Sequence, residues 1–351
     1  MNKNSIMIAM SGGVDSAVAA YLAAQGRTAA GVTMQLAFEN GQHRDTALQD
    51  IADAAATCRL LGLPHYVADL SADFQELVVK PFMAAYLQGK TPNPCIDCNK
   101  AVKFGALFDF VRQNGYGRLA TGHYAQIERD ENGRYLLRRA KDLTKDQTYV
   151  LYSLSQDVLA ATEFPLGAMT KQEVRALATE LQFVAAHKSD SQDICFIPDG
   201  DYGTFIATHT DATVPEGDFL ALDGKVLGRH RGIIHYTIGQ RKGLGIALGR
   251  PAFVVRKSAQ DNTVTLGENE HLFTTRLTVN NINLIPFDIL RSPTALFAKA
   301  RYRQEAAPAR VEQTGEDELT VEFKTPQRAV SPGQSLVLYD GDYVIGGGKI
   351  K

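Results

Sequence analysis

Three stretches of this chain combine residue types and spacing that can do chemistry. The first holds Cys95 and Cys98, within Thr91-Pro92-Asn93-Pro94-Cys95-Ile96-Asp97-Cys98-Asn99-Lys100. Two prolines hold it extended, and the cysteines arrive where a helix should begin. The helix dipole and Lys100 therefore predict thiols of lowered pKa. A C-x-x-C pair serves as half a zinc site, as a redox pair or as iron–sulfur ligands. The second stretch is Ser191-Gln192-Asp193-Ile194-Cys195-Phe196-Ile197-Pro198, a short β-like run carrying a lone cysteine. The third is Ser11-Gly12-Gly13-Val14-Asp15-Ser16, directly after the apolar Ile6-Met7-Ile8-Ala9-Met10. A strand, a Gly-rich turn and a helix starting near Val14 aim backbone N–H groups and a helix N-terminus at one point. The glycines admit close approach and the Ser11 and Ser16 hydroxyls add donors, so the fitting ligand is a pyrophosphate. No Gly-Lys-Ser/Thr follows, which excludes a Walker A loop.

The elements around these stretches predict how they are held. After the helix that runs to about Ala24, Gly26 is a C′ cap and residues 29–36 read as a second buried strand. A polar stretch with Gly41 leads to an alanine-rich helix opened by Asp45, which stops at Gly62-Leu63-Pro64 before a third strand, His65 to Ala68. This alternation predicts an α/β, doubly wound parallel sheet whose ligands sit at the carboxyl ends of the strands. Met34, near such an end, is either a core residue or a surface for adenine. Arg118 to Tyr124 reads as a further strand entering a turn at Gly122, with His123 either reaching a ligand or tRNA or hydrogen-bonded in the core. Asn132-Gly133 marks a hairpin, Lys145-Asp146-Gln147 a polar segment before a helix-like run, and Thr170-x-x-Glu173 a capping box opening a helix to about Gln182. Cys58 sits in that alanine-rich helix as a small packed hydrophobe. From about Asp218 short strands and hairpin signals take over. The domains expected are 1–204, a small central domain at 205–255, and a β-barrel at 256–351.

At 351 residues, 44% hydrophobic and 22% charged, the chain is long enough for two or three domains with real cores. No run approaches the ~18 apolar residues of a membrane span, and Met1-Asn2-Lys3-Asn4-Ser5 leads straight into a strand, so a cytoplasmic protein is expected. In a reducing compartment the four cysteines are not expected to be permanently bridged, and the clustered ones read as catalytic or metal-binding. The net charge of −2 hides an asymmetry: from Gly224 to Gln260 there are eight Lys and Arg residues and no Asp or Glu. Tyr236 to Gly245 is a Gly-punctuated part of that stretch, and Lys299, Arg301, Arg303 and Arg310 form a second basic group around Tyr302. Late positive charge of this kind suits a phosphate backbone.

The Ser11 to Ser16 loop resembles that of the PP-loop ATP pyrophosphatases (adenine nucleotide alpha hydrolase-like enzymes), which cleave ATP between its α and β phosphates. Ser11 to Ser16, Thr91 to Asn99, Thr121 to Tyr124, Lys145 to Tyr149, Ser191 to Ile197, Tyr236 to Gly245, Arg301 to Gln304 and Ser331 to Gln334 together resemble the tRNA-specific 2-thiouridylase family, in order along nearly the whole chain. The resemblance implies ATP-dependent replacement of the C2 oxygen of the wobble uridine by sulfur in the tRNAs for Lys, Glu and Gln. It also implies a PP-loop domain, a small central domain and a C-terminal β-barrel. ATP with Mg²⁺ would be held by Ala9, Met10, Ser11, Gly12, Gly13, Val14, Asp15, Ser16, Met34 and Gly122. Cys195 would carry a persulfide and Cys98 would attack it, leaving a transient Cys98–Cys195 disulfide. Asn93, Pro94 and Cys95 would border the flipped uridine. His123, Lys145, Asp146, Gln147, Arg301, Tyr302 and Gln334 would be further tRNA contacts, and a cysteine desulfurase or relay protein would supply sulfur. The best-known members carry Asp where this chain has Cys95. With Cys98 and Cys195 it makes three thiolates, a set suited to a [4Fe–4S] cluster, so persulfide, cluster and structural zinc routes all stay open. A small-molecule PP-loop ligase leaves the cysteines unexplained. A non-catalytic tRNA-binding protein leaves the phosphate loop without a use.

Overall fold

Residues 2–36, 42–188, 194–197 and 199–351 are described in the computed structural model of this chain. Gly41, Ser191 to Asp193 and Pro198, all singled out above, lie outside them. The chain divides into two units, the first made of Met1–Val78, Cys95–Gln192 and Gly341–Ile345. Its frame follows the expected alternation: β1 (Asn2–Ala9), α1 (Val14–Ala23), β2 (Thr28–Gln35), α2 (Gln42–Leu60), β3 (His65–Asp69) and β4 (Tyr116–Thr121). The hairpin β5 (Gln126–Arg129) and β6 (Tyr135–Arg138) turns at Gly133, with φ +87°, and the two-residue β7 (Thr162–Glu163) follows. One sheet runs β3-β2-β1-β4-β7, every neighbour parallel. Ile6, Met7 and Ile8 are fully buried, as a central strand covered on both faces requires.

Small residues let α1 lie close on this sheet: Ala17, Val18, Ala19 and Ala20 are buried together with Ile6, Ile8 and Ala120. On the other side of β1, a Cβ on Gly31 would overlap the Cys58 sulfur, so Cys58 fills the space that glycine leaves. Cys58 is wholly buried and desolvation raises its pKa to about 11, the inert packed thiol expected. The helix after the capping box, Lys171–Glu180, packs Val174 and Ala178 into the same core.

The second unit comprises Val79–Pro94, Asp193–Asp340 and Gly346–Lys351. Strands β8 (Gly217–Leu220), β9 (Val226–His230), β10 (Phe253–Ser258) and β11 (Thr263–Gly267) form a sheet in the order β10-β11-β8-β9. The boundary expected at 255 thus falls inside β10, which pairs antiparallel with β11. β12 (Phe273–Leu284), β13 (Thr294–Lys299), β14 (Ala307–Gly315), β15 (Glu318–Arg328), β16 (Ser335–Asp340) and β17 (Tyr343–Ile350) follow in the order β12-β15-β14-β13-β16-β17. Pairing of Val279 with Ile350 closes the barrel, and the buried Leu319, Val321 and Phe323 show the period of two that fills its interior.

Candidate active site

The Ser11 loop lies where strand order reverses: the chain leaves β1 toward β2, while β4 flanks β1 on the other side, with Ala9 opposite Thr121. Such a switch point opens a crevice at the carboxyl ends of the strands. Gly12 has φ +70°, and a Cβ there would stand 2.6 Å from the Asp50 carbonyl oxygen of α2. Gly122 brings the end of β4 against the same loop, since its Cβ would lie 2.9 Å from Asp15 C and Ser16 N. Gly13 is the N-cap of α1 and has no side-chain cap. The first turn of α1 therefore has no capping oxygen from its N-cap side chain, an arrangement suited to an anion.

One expected donor is used differently. The buried Ser16 hydroxyl donates to Gly13 O at 2.9 Å and accepts from Ser11 N at 3.1 Å and Ser11 Oγ at 3.3 Å. It shapes the loop instead of pointing at an anion, because the turn supplies a nearer acceptor. Ala9, Met10 and Val14 flank the loop, with Met10 and Val14 buried, and Met34 is half-buried at the carboxyl end of β2.

A residue the sequence did not flag completes this corner. Lys171, buried, donates to both Asp15 carboxylate oxygens at 2.8 Å, and Tyr124 OH donates to Oδ1 at 2.8 Å. The Lys171 N–H also donates to Asp142 Oδ2 at 3.0 Å, and bonds from Thr144 and from that N–H hold the Asp142 carboxyl below its ordinary range. Lysine at the first position of a helix opposes the macrodipole. That mismatch, just after the Thr170 capping box, is the signal that Lys171 serves something outside its helix.

The side chains expected at tRNA on this unit are mostly engaged within it. His123 is buried, with Nδ1 2.7 Å from Thr121 Oγ1 and its ring packed on Phe104 and Phe164. Burial, with Lys103 nearby, pushes its pKa well below the usual value, so of its two readings it takes that of a neutral core histidine. Asp146 accepts from Ala140 N at 3.1 Å and Thr148 Oγ1 at 2.6 Å. Gln147 exchanges two bonds with the Tyr124 backbone, each 2.9 Å. Both brace the polar segment, in which the Lys145 N–H donates to Asp142 O at 3.0 Å.

Cys95 and Cys98 correct a second expectation. The helix starts at Pro94, runs as Pro94–Asp97, widens into a π-helical stretch at Cys98–Ala106 and continues as Leu107–Gln113. Cys98 therefore sits a turn inside a continuous helix and not at a bare N-terminus. Its thiol pKa is raised, first by desolvation, with the Cys95 and Asp97 charges adding and the Lys103 ammonium opposing. Cys95 is exposed at its own atoms yet crowded by surrounding protein. Desolvation raises it too, again opposed by Lys103. Desolvation outweighs the cation, and the cation is Lys103 rather than Lys100.

In the second unit Cys195 is exposed on a turn, not a strand: Ile197 N donates back to Ile194 O at 2.9 Å. Its neighbours Phe196 and Ile197 are buried, Phe196 edge-on to Phe82 at 5.3 Å between centroids and 5.4 Å from Phe205. The thiol is held outward by an anchored phenylalanine. Arg301 also departs from expectation, its Nη2 donating to Ile238 O at 3.2 Å, Ser331 Oγ at 2.9 Å and Ala329 O. It clamps loops. Tyr302 is 40% exposed beneath Lys299, its Nζ 5.5 Å from the ring centroid, as a base-stacking residue would be. Asn93 is half-buried, Pro94 buried, and Gln334 Nε2 donates to Thr91 O at 2.6 Å. Within the acid-free basic stretch, Arg229 and Arg250 find carboxylates outside it, Asp218 and Glu268. Among the described residues, no three His, Cys, Asp or Glu side chains are gathered as a metal ion requires. No helix among them is long and apolar enough to cross a membrane.

Comparison with known proteins matches residues 4–199 to a tRNA methyl transferase HUP domain, 203–268 to a tRNA methyl transferase PRC-barrel domain and 274–350 to an aminomethyltransferase beta-barrel domain. A tRNA-specific 2-thiouridylase MnmA of Clostridioides difficile is 45% identical over 357 residues, covering 100% of this chain and 99% of the relative. Those of Acetivibrio thermocellus and Clostridium acetobutylicum are each 45% identical, over 359 and 357 residues, with both chains covered in full.

Proposed function

The chain belongs to the tRNA-specific 2-thiouridylase family, and from that premise we propose that it replaces the C2 oxygen of the tRNA wobble uridine with sulfur at the expense of ATP. The observation that carries this is the phosphate loop at the β1–β4 switch point, closed by Gly122. Methyl transfer, the wording of two matching domain descriptions, has no use for a pyrophosphate cradle. The full-length relatives are thiouridylases.

The uridine oxygen attacks the α-phosphorus, pyrophosphate departs into the loop, and the base is left as an adenylate. A carbonyl oxygen is thereby turned into a leaving group. The Cys98 thiolate attacks Sγ of a Cys195 persulfide, forming the Cys98–Cys195 disulfide and expelling hydrosulfide with the bonding electron pair. Hydrosulfide adds to C2 and AMP leaves. A dithiol reductant then restores both thiols, and a cysteine desulfurase or relay protein reloads Cys195. The raised Cys98 pKa means that the resting thiol is largely protonated, with Lys103 the cation that favours its ionisation. Mg²⁺ accompanies the ATP phosphates. No residue is assigned to it, because both Asp15 oxygens are bonded to Lys171.

The tRNAs for Lys, Glu and Gln are the proposed substrates and the cytoplasm the proposed site of action. Exposed Tyr302 and the basic stretch serve RNA contact. The other reading is a [4Fe–4S] cluster on Cys95, Cys98 and Cys195, supported by Cys95 lying near enough to Cys98 for its charge to push the Cys98 thiol pKa up. One experiment separates the two. Protein purified without oxygen is assayed for iron and labile sulfide, then given ATP, a persulfide donor and unmodified tRNA. Metal-free protein that forms 2-thiouridine with AMP and pyrophosphate in equal amounts supports the persulfide route, and Cys98→Ser and Cys195→Ser should each abolish it while sparing tRNA affinity. About four irons with matching activity establishes the cluster. No tRNA-dependent AMP refutes the function.

A further inference from the structure

The Thr91 backbone is held on both sides by one turn of the barrel. Thr91 N donates to Pro332 O at 2.8 Å and Gln334 Nε2 donates to Thr91 O at 2.6 Å. Between them Gly333, with φ +89°, lies so close that a Cβ would stand 3.0 Å from Lys90 Cβ and 3.2 Å from Thr91 N. The turn is itself fixed: Gly333 N donates to Ile350 O at 2.9 Å, Ile350 N to Gln334 O at 2.8 Å, and Gln334 N to Ser331 O at 3.2 Å. Ser331, fully buried, accepts from Arg301 at 2.9 Å. On the other side, Lys90 N donates to Ala85 O at 2.9 Å, closing the end of helix Lys80–Leu87.

We propose that the Ser331–Gln334 turn sets the position of Asn93 and Pro94, and that Gln334 is a positioning residue for the thiolation site rather than an RNA contact. The proposal rests on the function above and deepens it. The Gln334 amide is spent on a backbone carbonyl two residues before Asn93. Pro92 and Pro94 each fix one φ, so little slack remains between the tether and the residues expected to border the uridine. Arg301, clamped to Ser331, belongs to the same support. Displacing a reacting group by about 1 Å can cost on the order of 10²-fold in rate, so a loosened tether should lower the chemical step and leave RNA affinity alone.

The test compares Gln334→Glu, which loses the donor and sets a carboxylate against Thr91 O, with Gly333→Ala, which removes no group that could touch RNA but forces the turn from Thr91. Single-turnover thiolation of unmodified tRNA at saturating enzyme, tRNA Kd, thermal midpoint, and Cys95 alkylation by N-ethylmaleimide are measured in both. The expected result is a rate loss of about tenfold or more in both variants, an altered Cys95 alkylation rate, and a Kd within about twofold of the parent. Weakened tRNA binding in Gln334→Glu, with Gly333→Ala thiolating normally, makes Gln334 an RNA contact and overturns the proposal. So does unchanged Cys95 alkylation in both variants, whatever their midpoints. A parent protein that forms no 2-thiouridine refutes the underlying function instead, and leaves the alkylation comparison to decide the tether.

Discussion

Replacing Lys171 with Met tests whether the phosphate loop depends on a cation from a distant helix. Methionine keeps an unbranched apolar stem, so what is lost is chiefly the charge and its two bonds to Asp15, each 2.8 Å. Stripping one partner from a sealed ion pair costs about 3–5 kcal/mol. Here the Lys171 side chain is 11% exposed and that of Asp15 32% exposed, so water can reach the orphaned carboxylate. Asp15 also keeps the Tyr124 hydroxyl and a place in the first turn of α1, where the helix dipole favours an anion by about 0.3–1 kcal/mol. Those discounts leave a loss of about 1–3 kcal/mol. At roughly 2–4 °C per kcal/mol for a unit of this size, the thermal midpoint should fall by about 5 °C. An unneutralised carboxylate then faces the ATP phosphates, and a tenfold rise in KM for ATP would correspond to about 1.4 kcal/mol. The assays are thermal unfolding without ligand and pyrophosphate release against ATP concentration with tRNA present. A thermodynamic cycle with Asp15→Asn isolates the pair, because directly bonded partners must be non-additive. Additive midpoint shifts in that cycle, or parental stability and KM in Lys171→Met, would refute the reasoning.

Gly122→Ala should push the end of β4 off the phosphate loop, since its Cβ meets backbone atoms at 2.9 Å; a stability loss of about 1–3 kcal/mol with a raised KM for ATP is expected, and a parental KM would show that the two strand ends need not touch. Gly31→Ala should destabilise the first unit through overlap with the Cys58 sulfur, and Cys58→Ala should restore much of that loss in the double variant; denaturant midpoints of the four proteins check this, and absence of rescue would put the clash elsewhere. The Cys98 thiolate is disfavoured by burial, so its alkylation should still be climbing above pH 9. Lys103 opposes that burial, so Lys103→Gln should move the profile to still higher pH. At a fixed pH below the midpoint, alkylation then slows by up to about tenfold for every pH unit the profile moves. Peptide mass spectrometry reads Cys98 directly, and an unmoved profile would remove Lys103 from the site.

What the sequence disclosed depended on whether the signal was local. The strand, Gly turn and helix of the phosphate loop, the Asn132-Gly133 hairpin and the Thr170 capping box are short-range devices, and each lies where its own residues put it. Lys171 and Asp15 meet across 156 positions and Gln334 and Thr91 across 243, distances no periodicity spans. Cys195 reads as part of a strand because β-forming Ile194, Phe196 and Ile197 surround it. Burial of the consecutive Phe196 and Ile197 identifies a turn instead. The low pKa expected of the thiols counts the helix start and a nearby cation, but the helix begins at Pro94, a turn before Cys98, and burial, which spacing does not disclose, outweighs the cation at both cysteines.

Cys58 gives the molecule a silent fourth thiol. Held between α2 and Gly31 with its pKa near 11, it is closed to persulfide donors and alkylating agents alike while the helix stays seated. Modification there can proceed only through an opening of α2 from β2, so its rate under native conditions gauges how often that face comes apart. The same helix presents the Asp50 carbonyl that crowds Gly12. A slow clock at Cys58 therefore keeps time for the floor of the phosphate loop, and nucleotide that steadies the loop should slow it further.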